Sequence, residues 1–188
     1  MKIWCMMNLE QIKSILTGKI NPEIAGSASY RLSSVMVVIY GKNPSVIMIE
    51  KPQTMKFHAG EIAFPGGKID PEDSDLLATA IRETSEEIGL KISSENVIGQ
   101  LEPVVTLNSG FMILPFVCIL NDIPKLVANS EVENILHIEL EKLLGTIKDD
   151  DDPEHNRIDE MFTFEFEDQI IWGASARILK QIHSRVKP

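Results

Sequence analysis

The stretch GGKIDPEDSDLLATAIRETSEEIGL, residues 66–90, places Glu83, Glu86 and Glu87 on one helix directly after a glycine pair. Asp73 or Ser74 is the expected N-cap, the helix extends to about Ile88, and Gly89 is its stop. At 3.6 residues per turn, Leu77, Ala80, Ile81, Thr84 and Ile88 fall within an arc of roughly 100° that must face a core. The three glutamates occupy the adjoining arc. Glu83 meets Glu87 at i,i+4 and Glu86 at i,i+3, and each contact is unfavourable by a few tenths of a kcal/mol, roughly, unless a counter-charge is present. Arg82, i,i+4 to Glu86, supplies one positive charge and leaves negative potential in excess. A hard dication such as Mg2+ would remove that excess, because it prefers carboxylate, carbonyl and water oxygens and leaves positions open for phosphates. Carbonyls of the Gly66-Gly67 turn could complete its shell. A solvated acidic face is the competing reading of E-x-x-E-E alone, and the glycine turn tells against it.

Around this helix the chain reads as one domain, residues 1–188, with its core at about 30–183. Asn8 followed by Leu9, Ile12 and Leu16 predicts a leading helix over about 8–18, ended near Gly18 and Asn21-Pro22. SSVMVVIY (33–40) and SVIMIEK (45–51) are β-branched and apolar, and GKNP between them is turn chemistry, so they form a hairpin. GEIAF (60–64) is a further short strand, ended by Pro65-Gly66-Gly67. VIGQLEPVVT (97–106), FMILPFVCIL (111–120) and the alternating MFTFEFE (161–167) are strands, and IIWGASARILKQI is a strand end entering a final helix. EVENILHIELEKLL leaves strand and helix both open. Strands outnumber helices and hairpins recur, which predicts an α+β chain with a mixed sheet carrying helices.

Composition narrows the partners. A formal net charge of −10 argues against a general nucleic-acid or anionic-membrane surface, while a local site or a dication still admits a small polyanion. Cys5 and Cys118 stand far apart, outside any disulfide framework or zinc spacing, which fits a reducing, cytoplasmic setting. The opening MKIWCMMNLEQIK is too short in its apolar run for a secretory signal, and Met6 and Met7 are alternative starts.

The order Gly67, Asp73, Arg82-Glu83, Glu86-Glu87, Gly89-Leu90 resembles the Nudix box of pyrophosphate-cleaving hydrolases. Asp73 stands where the general pattern has Glu, with one extra residue before Arg82. Both features are shared with the Nudix branch that hydrolyses coenzyme A and acyl-CoA. HAGEIAFPGGKIDPED, PVVTLNSGFMILPFV and IIWGASARIL are also similar to segments of that branch, so the resemblance covers most of residues 33–182. Upstream, where that branch carries two arginines, this chain has Lys51 and Lys56, which keep charge but lose the guanidinium fork.

The resemblance implies a Nudix fold, an α-β-α sandwich with a mixed sheet between helices. It implies Mg2+ or Mn2+ held by Glu83 and Glu87, with Glu86 as a further ligand and the Gly67 carbonyl assisting, and Arg82 orienting them by ion pairing. Glu83, Glu86 and Arg82 would form the catalytic group. Glu83 is the first candidate base, with Glu131 and Glu133 as outside candidates. Lys51, Lys56, Gly66 and Gly67 would meet the substrate, a nucleoside diphosphate derivative of the CoA kind. CoA would yield 3′,5′-ADP and phosphopantetheine. ADP-ribose, a dinucleotide or a nucleoside triphosphate are the competing substrates, a silent nucleotide-binding module is the competing class, and a homodimer is left open. His58 beside the loop reads as structural, Asp149–Asp152 as a solvated turn, and Trp172, Phe162, Phe164, Phe166 and Cys118 as packing.

Overall fold

The computed structural model describes residues 7–24, 29–54, 59–106, 109–150 and 161–186. The first helix, α1 (Leu9–Leu16), starts at a reciprocal capping box between Asn8 and Gln11 and buries Leu9, Ile12 and Leu16. The two apolar runs that follow form the expected hairpin of β1 (Arg31–Tyr40) and β2 (Ser45–Glu50), with Ile39 opposite Val46. After β3 (Ile62–Ala63), β4 (Gly66–Lys68) runs antiparallel to the start of β1 and places Gly67 opposite Ser34. The glycine pair is therefore more than the strand end expected of it. Gly66 has φ +154°, and a Cβ there would lie 2.2 Å from the Ser34 carbonyl and 2.6 Å from the Val35 Cα. Only glycine lets the two backbones approach this closely.

The carboxylate-bearing helix, α2 (Leu76–Ile88), ends on Gly89 in the left-handed conformation, as expected. Its cap differs. Asp75, not Asp73 or Ser74, accepts from the Ala78 N–H at 2.8 Å, because the Asp73 carboxylate is taken by Arg82 and Thr79. The buried stripe is also rotated from the expected one. Leu76, Thr79, Ala80, Thr84, Glu87 and Ile88 are inside, while Leu77 and Ile81 are only partly covered.

The expected strand over 97–106 is two, β5 (Val97–Gln100) and β6 (Val104–Val105), interrupted by the residues leading to Pro103. Both pair with β7 (Phe111–Leu120). The segment that sequence left open divides into β8 (Asn134–Glu139) and α3 (Leu140–Gly145). Then β9 (Lys148–Asp149), β10 (Phe162–Phe166) and β11 (Gln169–Ile171) make a small antiparallel sheet, followed by α4 (Gly173–Val186). The acidic run thus begins as a strand and not as a solvated turn. Asp150 is buried and its N–H donates to the Met161 carbonyl, whereas Asp151 and Asp152 lie outside the described residues.

The main sheet has the order β3-β2-β1-β7-β5, with β4 on β1, β6 on β7 and β8 on β2. Strands β1 and β7 are parallel from Arg31–Phe111 to Tyr40–Leu120, and the other pairings are antiparallel, so the sheet is mixed. Helices cover both faces, which is why β1 reads as an unbroken apolar run. Val35, Val37 and Ile39 pack with α1 and α4, whereas Met36 and Val38 pack with Leu76, Ala80 and Ile88 of α2. This is the expected sandwich. Phe164 is fully buried, and burial pushes the Cys118 thiol up to about 12, consistent with packing rather than chemistry. Among the described residues no helix is long and apolar enough to cross a membrane.

The Gly66–β1 contact gives a direct test. Gly66→Ala should lower stability by roughly 2–4 kcal/mol through the clash and backbone strain, read in thermal unfolding as a Tm loss of about 5–15 °C. An unchanged Tm would mean that the β4–β1 approach is looser than described.

Candidate active site

Strand β4 and helix α2 bring the acidic side chains to the glycine turn. Glu87 is 2% exposed, and its two oxygens are held separately. One accepts from the Lys51 ammonium at 2.5 Å and the other from the Gly66 N–H at 2.8 Å. Lys51 reaches it by alternation along β2: Ile47 and Ile49 point into the α2 layer, and Lys51 continues that side. Glu83 lies one turn earlier, its carboxylate so close to Gly67 that a Cβ there would sit 2.3 Å from the nearer oxygen. The Gly67 carbonyl accepts from the Ser33 hydroxyl at 2.6 Å.

Arg82 holds the other side. Its Nε and Nη2 donate to the two oxygens of Asp73, both at 2.9 Å, in a bidentate fork. Nη1 donates to Glu83 and to Glu86, each at 3.1 Å, and Nη2 also reaches the Lys68 carbonyl at 3.2 Å. The expected ion pairing with the glutamates is present, and the bond to Asp73 is the addition that sequence did not assign. The Arg82 guanidinium brings the Asp73 carboxyl down to about 2. Glu83 and Glu87 move the other way. Burial raises both above the usual carboxylate range, opposed by Arg82 at Glu83 and by Lys51 at Glu87.

The sequence candidates are not all gathered. Glu83, Glu86, Glu87, Arg82, Gly66, Gly67 and Lys51 meet at one place. Glu131 stands near enough to Glu87 for its charge to oppose ionisation there. Glu133 contributes its backbone N–H to the Glu50 carbonyl at 2.9 Å. Lys56 and His58 lie outside the described residues. Ser33 was missed, since only the pairing of β1 with β4, 34 residues away, reveals it.

The donor chemistry fits a hard dication: the Glu83 carboxylate stands where a Gly67 Cβ would lie, and the buried Glu87 carboxylate is held one helical turn on by the Gly66 N–H. The site is not preformed. Among the described residues no three acidic, histidine or cysteine side chains converge as a ready coordination group, because Glu83 and Glu87 are turned to Arg82 and Lys51. A dication would have to take those carboxylates from their present counter-ions.

The sequence matches the family described as NUDIX domain over residues 30–168. It is 30% identical, over 170 residues covering 85% of this chain and 82% of the relative, to the "Uncharacterized Nudix hydrolase NudL" of Yersinia pestis (strain Pestoides F). The Yersinia pseudotuberculosis serotype O:1b (strain IP 31758) protein of that name matches equally. Among solved structures, a MutT/nudix family protein from Enterococcus faecalis superposes with a TM-score of 0.61 at 17% identity, over 89% of this chain and 65% of that chain. The NUDIX domain of Shewanella oneidensis NrtR, complexed with ADP ribose, gives 0.56 at 14% identity, over 84% and 89%. At these identities the structural likeness speaks for the fold alone.

The opposed carboxylate shifts predict opposite pH signatures. Asp73 ionises more readily folded than unfolded, so it stabilises fully above about pH 4 and loses that contribution as pH falls towards 2. Asp73→Asn should therefore cost roughly 1–3 kcal/mol at pH 7 and almost nothing near pH 2, measured by denaturant unfolding. Glu83 ionises less readily folded, so its charge costs stability as pH rises above its ordinary value near 4.5. Glu83→Gln should raise Tm at pH 7, and the gain should vanish as pH falls below about 4.5. A Glu83→Gln protein less stable than wild type at pH 7 would contradict the burial argument.

Proposed function

From the premise that the chain belongs to the NUDIX domain family, we propose that it is a dication-dependent hydrolase of phosphoric anhydrides, cleaving CoA or acyl-CoA to 3′,5′-ADP and (acyl-)phosphopantetheine. The observation that carries this is Glu87, an almost fully buried carboxylate held at the glycine turn beside Glu83. Burying such a charge costs several kcal/mol, roughly, for structure alone, which a purely architectural helix would avoid by placing an apolar residue there. The CoA assignment rests on the similarity of the segments HAGEIAFPGGKIDPED, PVVTLNSGFMILPFV and IIWGASARIL to the CoA branch.

Glu83 and Glu87, with Glu86 and the Gly67 carbonyl, would hold Mg2+ or Mn2+. When bound, the ion neutralises the diphosphate and lowers the pKa of water at the site. The remaining work belongs to the chain. The Asp73–Arg82 fork fixes the guanidinium so that Nη1 orients Glu83 and Glu86 together. The Gly66 N–H aligns Glu87. Glu83 is the proposed general base, since burial raises its carboxyl above the usual carboxylate range and so strengthens it as a proton acceptor. Lys51, once released from Glu87, would meet a substrate phosphate, with Lys56 as its sequence neighbour in that role. Glu131 and Glu133 stay the outside candidates for the general base.

Incubation of the purified chain with CoA, acyl-CoA, ADP-ribose and NADH, with and without Mg2+ or Mn2+, tests the reading. Phosphopantetheine release is the expected result. Product from ADP-ribose alone would transfer the activity to that substrate, and no product from any of them would leave a nucleotide-binding module. Glu83→Gln and Glu87→Gln should each lower turnover by about 10²–10⁴-fold with an unchanged circular dichroism spectrum. Metal-dependent hydrolysis at wild-type rate in both variants would remove the proposal.

A further inference from the structure

Two cations near the glycine turn are not used by the acidic cluster. The Arg31 guanidinium lies 4.2 Å from the centroid of the Phe111 ring, and the Lys68 ammonium lies 5.6 Å from the same centroid. Both residues are exposed, and among the described residues neither pairs with a carboxylate. Lys51 and Arg82, by contrast, are each within ion-pair distance of one or more. In a chain whose acids outnumber its bases 28 to 18, two unpaired cations gathered on one ring stand out. They repel each other, and an exposed ring face repays only about 0.5–1 kcal/mol per cation.

Their place is set by the sheet. Alternation along β1 puts Arg31, Ser33 and Val35 on the face turned away from α2. Ser33 donates to the Gly67 carbonyl, and Lys68 follows Gly67 directly and lies opposite Ser33. Arg31 is two residues from Ser33, roughly 7 Å along the strand. The backbone that carries the ring is bonded on both sides of the turn before it. Arg31 Nη2 donates to the Ser109 carbonyl, Thr106 Oγ1 accepts from the Phe111 N–H at 2.9 Å, and Arg177 Nη1 secures the Val105 carbonyl at 2.6 Å.

We propose that Arg31 and Lys68, backed by Phe111, form a subsite for a second anionic group of the substrate, a phosphomonoester carried on the nucleoside apart from the diphosphate. The location of the diphosphate rests on the hydrolase reading above. The subsite selects nucleotides with an additional phosphate over those whose ribose is unphosphorylated, and the selecting charges sit outside the carboxylate cluster.

Isothermal titration of the whole chain with adenosine 3′,5′-bisphosphate and adenosine 5′-monophosphate, Mg2+ present, tests this without requiring turnover. The bisphosphate should bind about tenfold tighter. Arg31→Ala and Lys68→Ala should each reduce that preference, and the double variant should bring it within about twofold while leaving the monophosphate affinity unchanged. Equal wild-type affinities, or a double variant that keeps the preference, would overturn the subsite. The Glu83→Gln variant should retain the preference, and loss of the preference there would also overturn it. A chain that hydrolyses no diphosphate yet shows a preference dependent on Arg31 and Lys68 upholds the subsite and overturns the hydrolase. A chain that hydrolyses CoA with no such preference does the reverse.

Discussion

The Arg82–Asp73 fork is the contact on which the site depends. A single guanidinium satisfies Asp73, Glu83, Glu86 and the Lys68 carbonyl, so it links the loop, the helix and β4 in one bonded unit. Bidentate charge-assisted bonds of this kind fix geometry as well as energy. Without the fork, Glu83 and Glu86 would be two repelling charges on a mobile helix face. With it, both are bonded to the same guanidinium nitrogen, and Asp73 is withdrawn from the capping role that its sequence position suggests.

Glu87 is solved differently. Its neutralising charge comes from β2, through Lys51, and its second bond from the backbone of Gly66. The two acidic residues nearest the turn thus have separate cations from separate elements, and each remains harder to ionise than a solvated carboxylate. The fold carries this cost at one spot while both faces of the sheet are closed by continuous apolar packing. An expensive polar centre supported by an ordinary core is the arrangement expected where chemistry, and not stability, decides the residues.

Local chemistry in the sequence was enough to find most elements. Hairpin residues, the Asn8 cap, the Gly89 stop and the Phe162–Phe166 alternation all act over a few residues, and they were legible. Periodicity placed the glutamates on one helix, yet it put the core stripe about one residue off, because burial of Glu87 is a tertiary fact supplied by Lys51 and Gly66. The cap moved from Asp73 to Asp75 for the same reason: Arg82, nine residues on, competes for the first carboxylate. Strand register was invisible. Nothing in SSVMVVIY announces that Ser33 will reach Gly67 or that Arg31 will lie over Phe111.

The parallel pairing of β1 with β7 also governs the order of assembly on the ribosome. Arg31 must wait for Phe111, eighty residues later, before its strand gains the neighbour that runs along its whole length. Strand β4 and its glycines rest on the other edge of β1. Synthesis proceeds at roughly 5–20 residues per second, so the complete acidic helix emerges seconds before the strand that finally braces the opposite edge of its platform. Until then the nascent chain holds concentrated negative charge on incomplete scaffolding, a vulnerable interval for aggregation or proteolysis that a permuted chain with β7 synthesised early would shorten.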